Sequence, residues 1–354
     1  MEISAARVKE LREMTGAGMM DCKKALTEAG GDIEKATQIL REKGLGQAAK
    51  KADRLASEGL ITLKITDDLK KATISEINSE TDFVAKNENF QQLTAKTTAF
   101  IQENGIEDLD SLMSSKIDNE SFKEYFNTQI ATIGENIVVR RFQTVVAGKN
   151  ETLNGYLHSN GRVGVIITAK CDSEETAKKS EELIRNICMH AAAMKPLYLS
   201  SDSFDSEFVE SETKALIADI TKTNEEYARL GKPAKKVPLY GSKIQLTDEV
   251  MKKAKEEIEA ELKAQNKPEK IWDRIVPGQI DRFIADNTLL DQQYALLSQF
   301  YVMDDKKSVK EVLEEKANEL GGTIELTGYI RFELGEGLEK KEEDFAAEVA
   351  AQIS

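Results

Sequence analysis

The sequence predicts an α+β protein. An N-terminal three-helix domain leads into a core built from a duplicated β-β-α unit with helix-covered antiparallel sheets. An inserted helical hairpin or coiled coil and a C-terminal helix complete the chain. Three observations carry this expectation: apolar residues recur at helical spacing between capping signals up to residue 56, the period switches to alternation at Gly59, and the same strand-strand-helix order returns at Gly155. A chain of 354 residues also exceeds the usual single-core size, which favours several modules.

Ser4 can cap a first helix carrying Val8 and Leu11, and Thr15-Gly16-Ala17-Gly18 ends it, because glycine tolerates the left-handed conformation after a helix. A second helix runs through Met20, Cys22, Ala25 and Leu26 to Gly30-Gly31. Asp32 caps a third bearing Ile33, Ala36, Ile39 and Leu40, and Gly44 and Gly46 are expected to release the chain into a helical or flexible connection up to Ala56. Leu60 to Ile65 and Ala72 to Ile77 then alternate around Asp67-Asp68, a hairpin, followed by a helix from about Ala85 to Glu103 with Phe90, Leu93, Thr97 and Phe100 on one face. A helical stretch, 107 to 133, and a third strand, Ile137 to Phe142, separate this unit from its second copy. That copy comprises Gly155 to His158, a turn at Ser159-Asn160-Gly161, Val163 to Ala169 and a helix from about Ser173 to Met194.

Residues 199 to 300 change character and look inserted. Helical patterns over 204 to 230 and 248 to 265 are broken by Gly231-Lys232-Pro233 and Val237-Pro238. Val250, Ala254, Ile258 and Leu262 recur every four residues, a narrow stripe that suits either a hairpin partner within the chain or a dimer seam. Alternation resumes near Phe300-Tyr301-Val302. Ser308-Val309-Lys310-Glu311 is a capping-box signal for a helix to Leu320, ended by Gly321-Gly322, and a strand follows from Thr323 through Phe332. Gly335-Glu336-Gly337 hands over to a final amphipathic helix with Phe345, Val349 and Ile353 on its apolar side.

Composition narrows the function. Hydrophobic residues at 40% and charged residues at 32% describe a soluble globular chain rather than a disordered one. The net charge of −14 leaves no broad basic footprint, so the expected partners are proteins, with no direct nucleic acid and no membrane. Lys50, Lys51 and Arg54 form a local basic cluster, but Asp53 and Glu58 interrupt it, as in a solvated helix end. Cys22, Cys171 and Cys188 are odd in number and widely spaced, which suits a reducing compartment, and a cytoplasmic location is expected. No apolar run approaches the roughly 20 residues a membrane helix needs, and the opening residues lack the apolar stretch of a secretory signal.

Catalysis is poorly equipped. With only His158 and His190, most triad and metal-hydrolase schemes lack a base or ligand set, so no catalytic residue, cofactor or metal is expected. Cys188 and His190 are two apart, about 200° around a helix, and are expected in the core. Gly16-Ala17-Gly18 and Gly44-Leu45-Gly46 miss the spacing of phosphate loops and read as helix caps. Glu80 and Asp82 flank Thr81 between a strand and a helix, where a site for Mg²⁺ could be held, though Asp82 is also a plausible helix N-cap. Phe83 is either a staple onto the local core or an anchor presented to a partner.

One long motif is specific. Val8-Lys9-Glu10-Leu11-Arg12-Glu13-Met14-Thr15-Gly16-Ala17-Gly18-Met19-Met20-Asp21-Cys22-Lys23-Lys24-Ala25-Leu26 closely resembles the opening of the elongation factor Ts family. Thr81-Asp82-Phe83-Val84-Ala85-Lys86-Asn87, Ile133-Gly134-Glu135-Asn136-Ile137, Met189-His190-Ala191-Ala192-Ala193 and Phe332-Glu333-Leu334-Gly335-Glu336-Gly337 follow in the family's order. The resemblance covers about 1 to 198 and 300 to 350. It implies a ubiquitin-associated-like first domain (1–56), a two-part core (57–148, then 149–198 with 300–334), a helical dimerisation insert (199–299) and a C-terminal module (335–354). It departs from the family in the missing proline at Gln299-Phe300-Tyr301-Val302 and in a longer insert, both of which bear on dimerisation.

The implied function is guanine-nucleotide exchange on the GTPase elongation factor Tu, bound in its GDP and nucleotide-free forms. Thr81, Asp82, Phe83 and Val84 are then the segment that dislocates the partner's Mg²⁺, and Ile133, Gly134, Glu135 and Asn136 a second contact. Val8, Leu11, Met19 and Met20 of the first domain, His158 of the second hairpin, and Phe345 and Val349 of the last helix are further candidate contacts, with a homodimer through the insert. Two other functions fit fewer residues: a generic protein-binding adaptor using the three-helix domain, and a metal-dependent enzyme on Glu80, Asp82 and a histidine.

Overall fold

The computed structural model describes residues 3–117 and 120–338. Three helices come first: α1 (Ala5–Thr15), α2 (Met19–Glu28) and α3 (Ile33–Lys51). The Ser4 hydroxyl accepts from the Arg7 N–H and the Asp32 carboxylate from the Lys35 N–H, as the capping signals predict. Strands β1 (Glu58–Ile65) and β2 (Lys71–Ser79) form the expected hairpin. A single helical turn, α4 (Asp82–Ala85), precedes α5 (Glu88–Asn104). Next come α6 (Leu109–Ser114), a minimal ladder of β3 (Lys116–Ile117) and β4 (Glu120–Ser121), α7 (Phe122–Ile133) and β5 (Val138–Val146).

The second strand-strand-helix set is β6 (Glu151–His158), β7 (Val163–Cys171) and α8 (Glu174–Met194). Then follow α9 (Ser206–Arg229), α10 (Asp248–Ala264), α11 (Trp272–Asp286) and α12 (Leu289–Tyr294). The hairpin of β8 (Phe300–Tyr301) and β9 (Asp304–Ser308) leads to α13 (Val309–Leu320) and β10 (Ile324–Glu333). In the first sheet β2 lies between β1 and β5, antiparallel to both, and the second has the order β10-β7-β6. The expected final helix, with Phe345, Val349 and Ile353, lies outside the described residues.

The chain divides into two compact units. The first holds the described residues up to Ala169, Glu181–Ala192 and those from Ile330; the second holds Lys170–Ser180 and Ala193–Tyr329. In the first unit, alternation along β2 sorts side chains to two faces. Ile77 joins Phe90, Leu93, Ile101, Phe122, Phe126 and Ile130 beneath α5 and α7. Ala72 and Ile74 point the other way and meet Ile61, Leu153, Ile166, Phe332 and Leu334. Helices therefore cover one face of the first sheet, and strand residues of the second copy cover the other. Two glycines allow that approach: a Cβ on Gly164 would lie 2.6 Å from Ile61 Cγ2, and one on Gly155 would lie 2.8 Å from Leu63 Cδ2.

The helical domain has its own core of Val8, Leu11, Cys22, Ala25, Leu26 and Ala36. The expected release at Gly44 and Gly46 does not occur; the connection takes its helical form, and α3 continues unbroken to Lys51. Packing explains it. The second half of α3 lies along α7, where the missing side chain of Gly44 admits Ala131 and Thr128, and Ala48 enters the core beneath α7. Burial against a neighbouring helix outweighs the roughly 1 kcal/mol by which glycine disfavours helix.

In the second unit, Tyr198, Phe204, Phe208 and Tyr294 pack edge to face or tilted around Val209, Leu290 and Ala295 at the root of the insert. Beyond it α10 packs on α11, and Ala254 and Leu262 of the narrow stripe are buried, the arrangement of an intrachain hairpin. Ser308 and Glu311 cap α13 reciprocally, and Gly321 closes it at φ 67°. Among the described residues no helix is long and apolar enough to cross a membrane.

Candidate functional site

The segment after β2 is shaped by one hydroxyl. Thr81, in extended conformation, caps α4, its Oγ1 accepting from the Val84 N–H at 3.4 Å. The cap is thus Thr81 and not Asp82, which is the first residue inside the turn. Ala85 is buried and Val84 packs against the core beneath α5, so the helical period turns Phe83, two residues from Ala85, outward. Phe83 is 79% exposed, the most exposed of the large apolar side chains in the described residues. Phe83 is therefore no staple onto the local core.

Asp82 accepts from Lys86 Nζ at 2.7 Å, and Lys86 also stands 5.9 Å from the Phe83 ring centroid. The Lys86 hydrogen bond holds the Asp82 carboxyl below the usual range against the opposing effect of burial, with further attraction from the Lys86 and Arg162 charges. Asp82 is thus an anion at neutral pH beside an exposed aromatic ring. Arg162 follows the turn after His158, whose Nδ1 lies 3.2 Å from the Tyr156 hydroxyl; His158 is exposed.

The turn after α7 is joined to this segment. Gly134 closes α7 at φ 93°, a conformation that favours glycine, and is exposed. Ile133 packs against the core. The next two side chains face inward. Glu135 Oε2 accepts from the Glu80 N–H at 3.1 Å and the Thr81 N–H at 3.0 Å, and its Oε1 accepts from the Thr81 hydroxyl at 2.6 Å. In return Glu80 Oε1 accepts from the Asn136 N–H at 2.6 Å and pairs with Arg54 at 3.5 Å. Asn136, almost fully buried, donates to the carbonyls of Arg54 at 2.7 Å and Ala52 at 3.4 Å.

This arrangement overturns the metal-site alternative. Glu80 is engaged by a backbone N–H and a guanidinium, and among the described residues no group of three His, Cys, Asp or Glu is placed to hold a metal ion. Cys188 and His190 are buried in α8, and burial pushes the Cys188 thiol far up. No disulfide joins the three cysteines.

In the helical domain the structure separates the four candidates. The side chains of Val8 and Leu11 fill the core and cannot themselves meet a partner, whereas Met19 and Met20 are exposed, together with Met14. Phe345 and Val349 lie outside the described residues. Arg162 and Lys86 stand beside Asp82 without being among the residues expected at the site. Lys86 has a local signal, its (i,i+4) spacing from Asp82, whereas Arg162 has none, since only the fold brings a turn of the second hairpin near Asp82.

A model of the family described as "Elongation factor TS" matches residues 80–238 and 234–336. The elongation factor Ts of Campylobacter curvus (strain 525.92) is 63% identical over 353 residues, covering 100% of both chains, and that of Helicobacter pylori (strain Shi470) is 57% identical over 351 residues, covering 99% of each. The chain belongs to the elongation factor Ts family. Like the family, it is a guanine-nucleotide exchange factor of translation elongation acting on elongation factor Tu, and it is not an enzyme. The family model begins at Glu80, at the edge of the Thr81–Val84 turn, while the full-length relatives extend the match through the three-helix domain.

Proposed function

We propose that Thr81, Asp82, Phe83 and Val84 form the wedge with which the chain loosens GDP on elongation factor Tu, by dislocating the Mg²⁺ of the GTPase. The observation that carries this reading is Phe83, an exposed ring on a single turn whose neighbours Val84 and Ala85 pack inward. A large aromatic held outward on a rigid element is the usual anchor of an interface. Asp82 adds a negative charge beside it. Mg²⁺ demands near-ideal octahedral geometry, so a small intrusion near the ion unseats it and leaves the diphosphate charge less neutralised. Binding free energies are reciprocal: whatever factor the chain imposes on GDP affinity, GDP imposes on affinity for the chain, which therefore leaves when nucleotide returns.

The remaining candidate contacts are assigned to the same partner. Ile133 and Gly134 offer the second contact, with Glu135 and Asn136 shaping the turn. Met19 and Met20 are the docking side chains of residues 1–56, a ubiquitin-associated-like module, with Val8 and Leu11 behind them. His158, Phe345 and Val349 are auxiliary contacts. Residues 57–148 and 149–198 with 300–334 are the two halves of the core. The chain works in the cytoplasm without touching nucleic acid or membrane, and self-association through residues 199–299 uses faces of the insert other than the stripe covered by α11.

The test is release of a fluorescent GDP analogue from elongation factor Tu, with the parent chain and with Phe83→Ala. The parent accelerates release and Phe83→Ala accelerates it less; equal acceleration by both removes the wedge from the mechanism.

A further inference from the structure

The residues of the turn after α7 are not equivalent. Glu135 sits among the candidate partner contacts, yet each hydrogen bond from its carboxylate to the protein runs to the segment before α4: the N–H groups of Glu80 and Thr81 and the Thr81 hydroxyl. Carboxylate acceptors make hydrogen bonds about twice as strong as neutral ones. The Thr81 hydroxyl serves twice, donating to Glu135 and accepting from the Val84 N–H, and donation to an anion makes an oxygen a better acceptor. The cap that starts α4 is thus itself held by a residue 54 positions away. Glu80 closes the loop through the Asn136 N–H, and Asn136 carries the connection to the chain at Ala52 and Arg54, just beyond α3.

We propose that Glu135 is a positioning residue for exchange: its carboxylate clasps Glu80 and Thr81 so that the turn carrying Asp82 and Phe83 enters the partner as a rigid body, and it does not itself touch the partner. A four-residue helix lacks the length to hold its own shape in water, so its direction depends on what fixes its first turn. Within the wedge reading, on which this inference rests, the clasp supplies the pre-organisation. A loosened turn still docks through the rest of the surface but delivers Phe83 in many orientations, only some of which displace the ion.

The experiment crosses Glu135→Ala with Phe83→Ala in the full-length chain. Stimulated GDP release is measured over a range of chain concentrations, and amide hydrogen exchange of the free chain at Glu80 and Thr81 is followed by NMR. Glu135→Ala is expected to lower the limiting release rate roughly tenfold while the half-saturating concentration changes less than about threefold. Thr81 is expected to lose amide protection, and Glu135→Ala to slow release little further when Phe83 is already alanine. Glu135→Gln, which keeps the shape and one carbonyl acceptor, is expected to fall between parent and alanine. If Phe83→Ala is slow and Glu135→Ala slows it again by its full factor, or if Thr81 keeps its protection without the carboxylate, Glu135 is a direct contact and the proposal is overturned while the wedge stands. If Phe83→Ala matches the parent, the wedge itself is wrong and the clasp has nothing to position.

Discussion

Glu76 and Arg141 are joined by a hydrogen bond from Nε to Oε2 of 2.6 Å, although Glu76 is fully buried in the middle strand of the first sheet. Arg140 reaches the other oxygen at 2.9 Å. Successive residues of a strand normally point to opposite faces, so one carboxylate cannot ordinarily collect two neighbours. An irregularity resolves this: the pairing steps from Glu76↔Arg141 to Ile77↔Val139, leaving Arg140 as an extra residue in β5. The same carboxylate accepts from the Gly335 N–H at 2.9 Å and so pins the chain that follows β10.

Removing the Glu76 carboxylate leaves Arg140 without its anion and Arg141 with only the more exposed Glu336 carboxylate, 3.2 Å away. Loss of one partner of a buried pair is strongly destabilising, by about 3–5 kcal/mol, and the partial exposure of both arginines places Glu76→Ala near the lower end. Chemical denaturation should show that loss, and limited proteolysis should cut near Gly337 sooner than in the parent. Parent-like stability would mean that the arginines rehydrate freely and the bulge has no energetic role.

Gly164 offers a second stability test. A methyl group there meets Ile61 Cγ2 at 2.6 Å and Ile74 Cδ1 at 2.8 Å, and both belong to the core beneath the first sheet. Overpacking of this kind costs about 1–3 kcal/mol. Gly164→Ala should therefore lower stability by that order, and Gly164→Ala combined with Ile74→Val should recover part of the loss by making room. No recovery in the pair would place the strain elsewhere.

Asp291 predicts a pH effect in the second unit. Burial pushes its carboxyl above the ordinary range, outweighing hydrogen bonds from Ser242, the Lys243 N–H and Ser201. A group whose proton affinity is higher folded than unfolded contributes stability that is present at low pH and is lost as pH rises through the raised value. Asp291→Asn keeps an oxygen for the Lys243 N–H, 3.0 Å away, and has no proton to lose. The difference in stability between variant and parent should move in favour of the variant as pH rises above about 4 and then level off. A difference that does not change with pH would show that Asp291 titrates normally.

The insert should be separable from exchange. Its root is tied by the Tyr198–Phe204–Phe208–Tyr294 cluster, whereas α10 and α11 pack chiefly on each other. Replacing residues 249 to 283 with a short flexible linker should leave GDP release unchanged and alter sedimentation if these helices mediate self-association. Loss of exchange in a folded, shortened chain would assign the hairpin a place in the partner interface.

What could be read from the sequence follows the range of the interactions. The caps at Ser4, Asp32 and Ser308 are decided within three residues, and all three stand as expected. The strand signals of β1, β2 and β7 are equally local, and the strands are there. Helix α11 has no counterpart among the sequence expectations, and it carries in its interior Pro277, a residue that disfavours helix. Whether the stretch after Gly44 is helical or flexible stays open in the sequence, because what decides it, α7, lies about 80 residues on. At the candidate site the exposed Phe83 was legible as an anomaly next to a cap. The inward turn of Glu135 was not, because its partners are supplied by the end of another strand.

Asp82 and Phe83 carry the sharpest prediction, and magnitudes set its form. Exchange factors accelerate release by orders of magnitude, and each factor of ten corresponds to about 1.4 kcal/mol off the barrier. Burying a phenylalanine is worth roughly 2–3 kcal/mol, and an interface anchor costs about 2 kcal/mol or more when truncated. Phe83→Ala should therefore slow stimulated GDP release roughly tenfold to a hundredfold without abolishing it. The Asp82 charge persists at neutral pH, since Lys86 holds its carboxyl low, so its effect should be insensitive to pH around neutrality. Asp82→Ala should act mainly where Mg²⁺ is present, because a carboxylate near the ion works on the coordination shell. Excess EDTA should then shrink the Asp82→Ala defect while leaving much of the Phe83→Ala defect, and the double variant should fall short of the product of the two factors, as neighbours on one turn share a single insertion. Binding of nucleotide-free elongation factor Tu should weaken less than exchange in each case. Were both single variants to match the parent in millimolar Mg²⁺, the exposed ring would serve some other contact, and the displacement of the ion would have to come from a different surface of the chain.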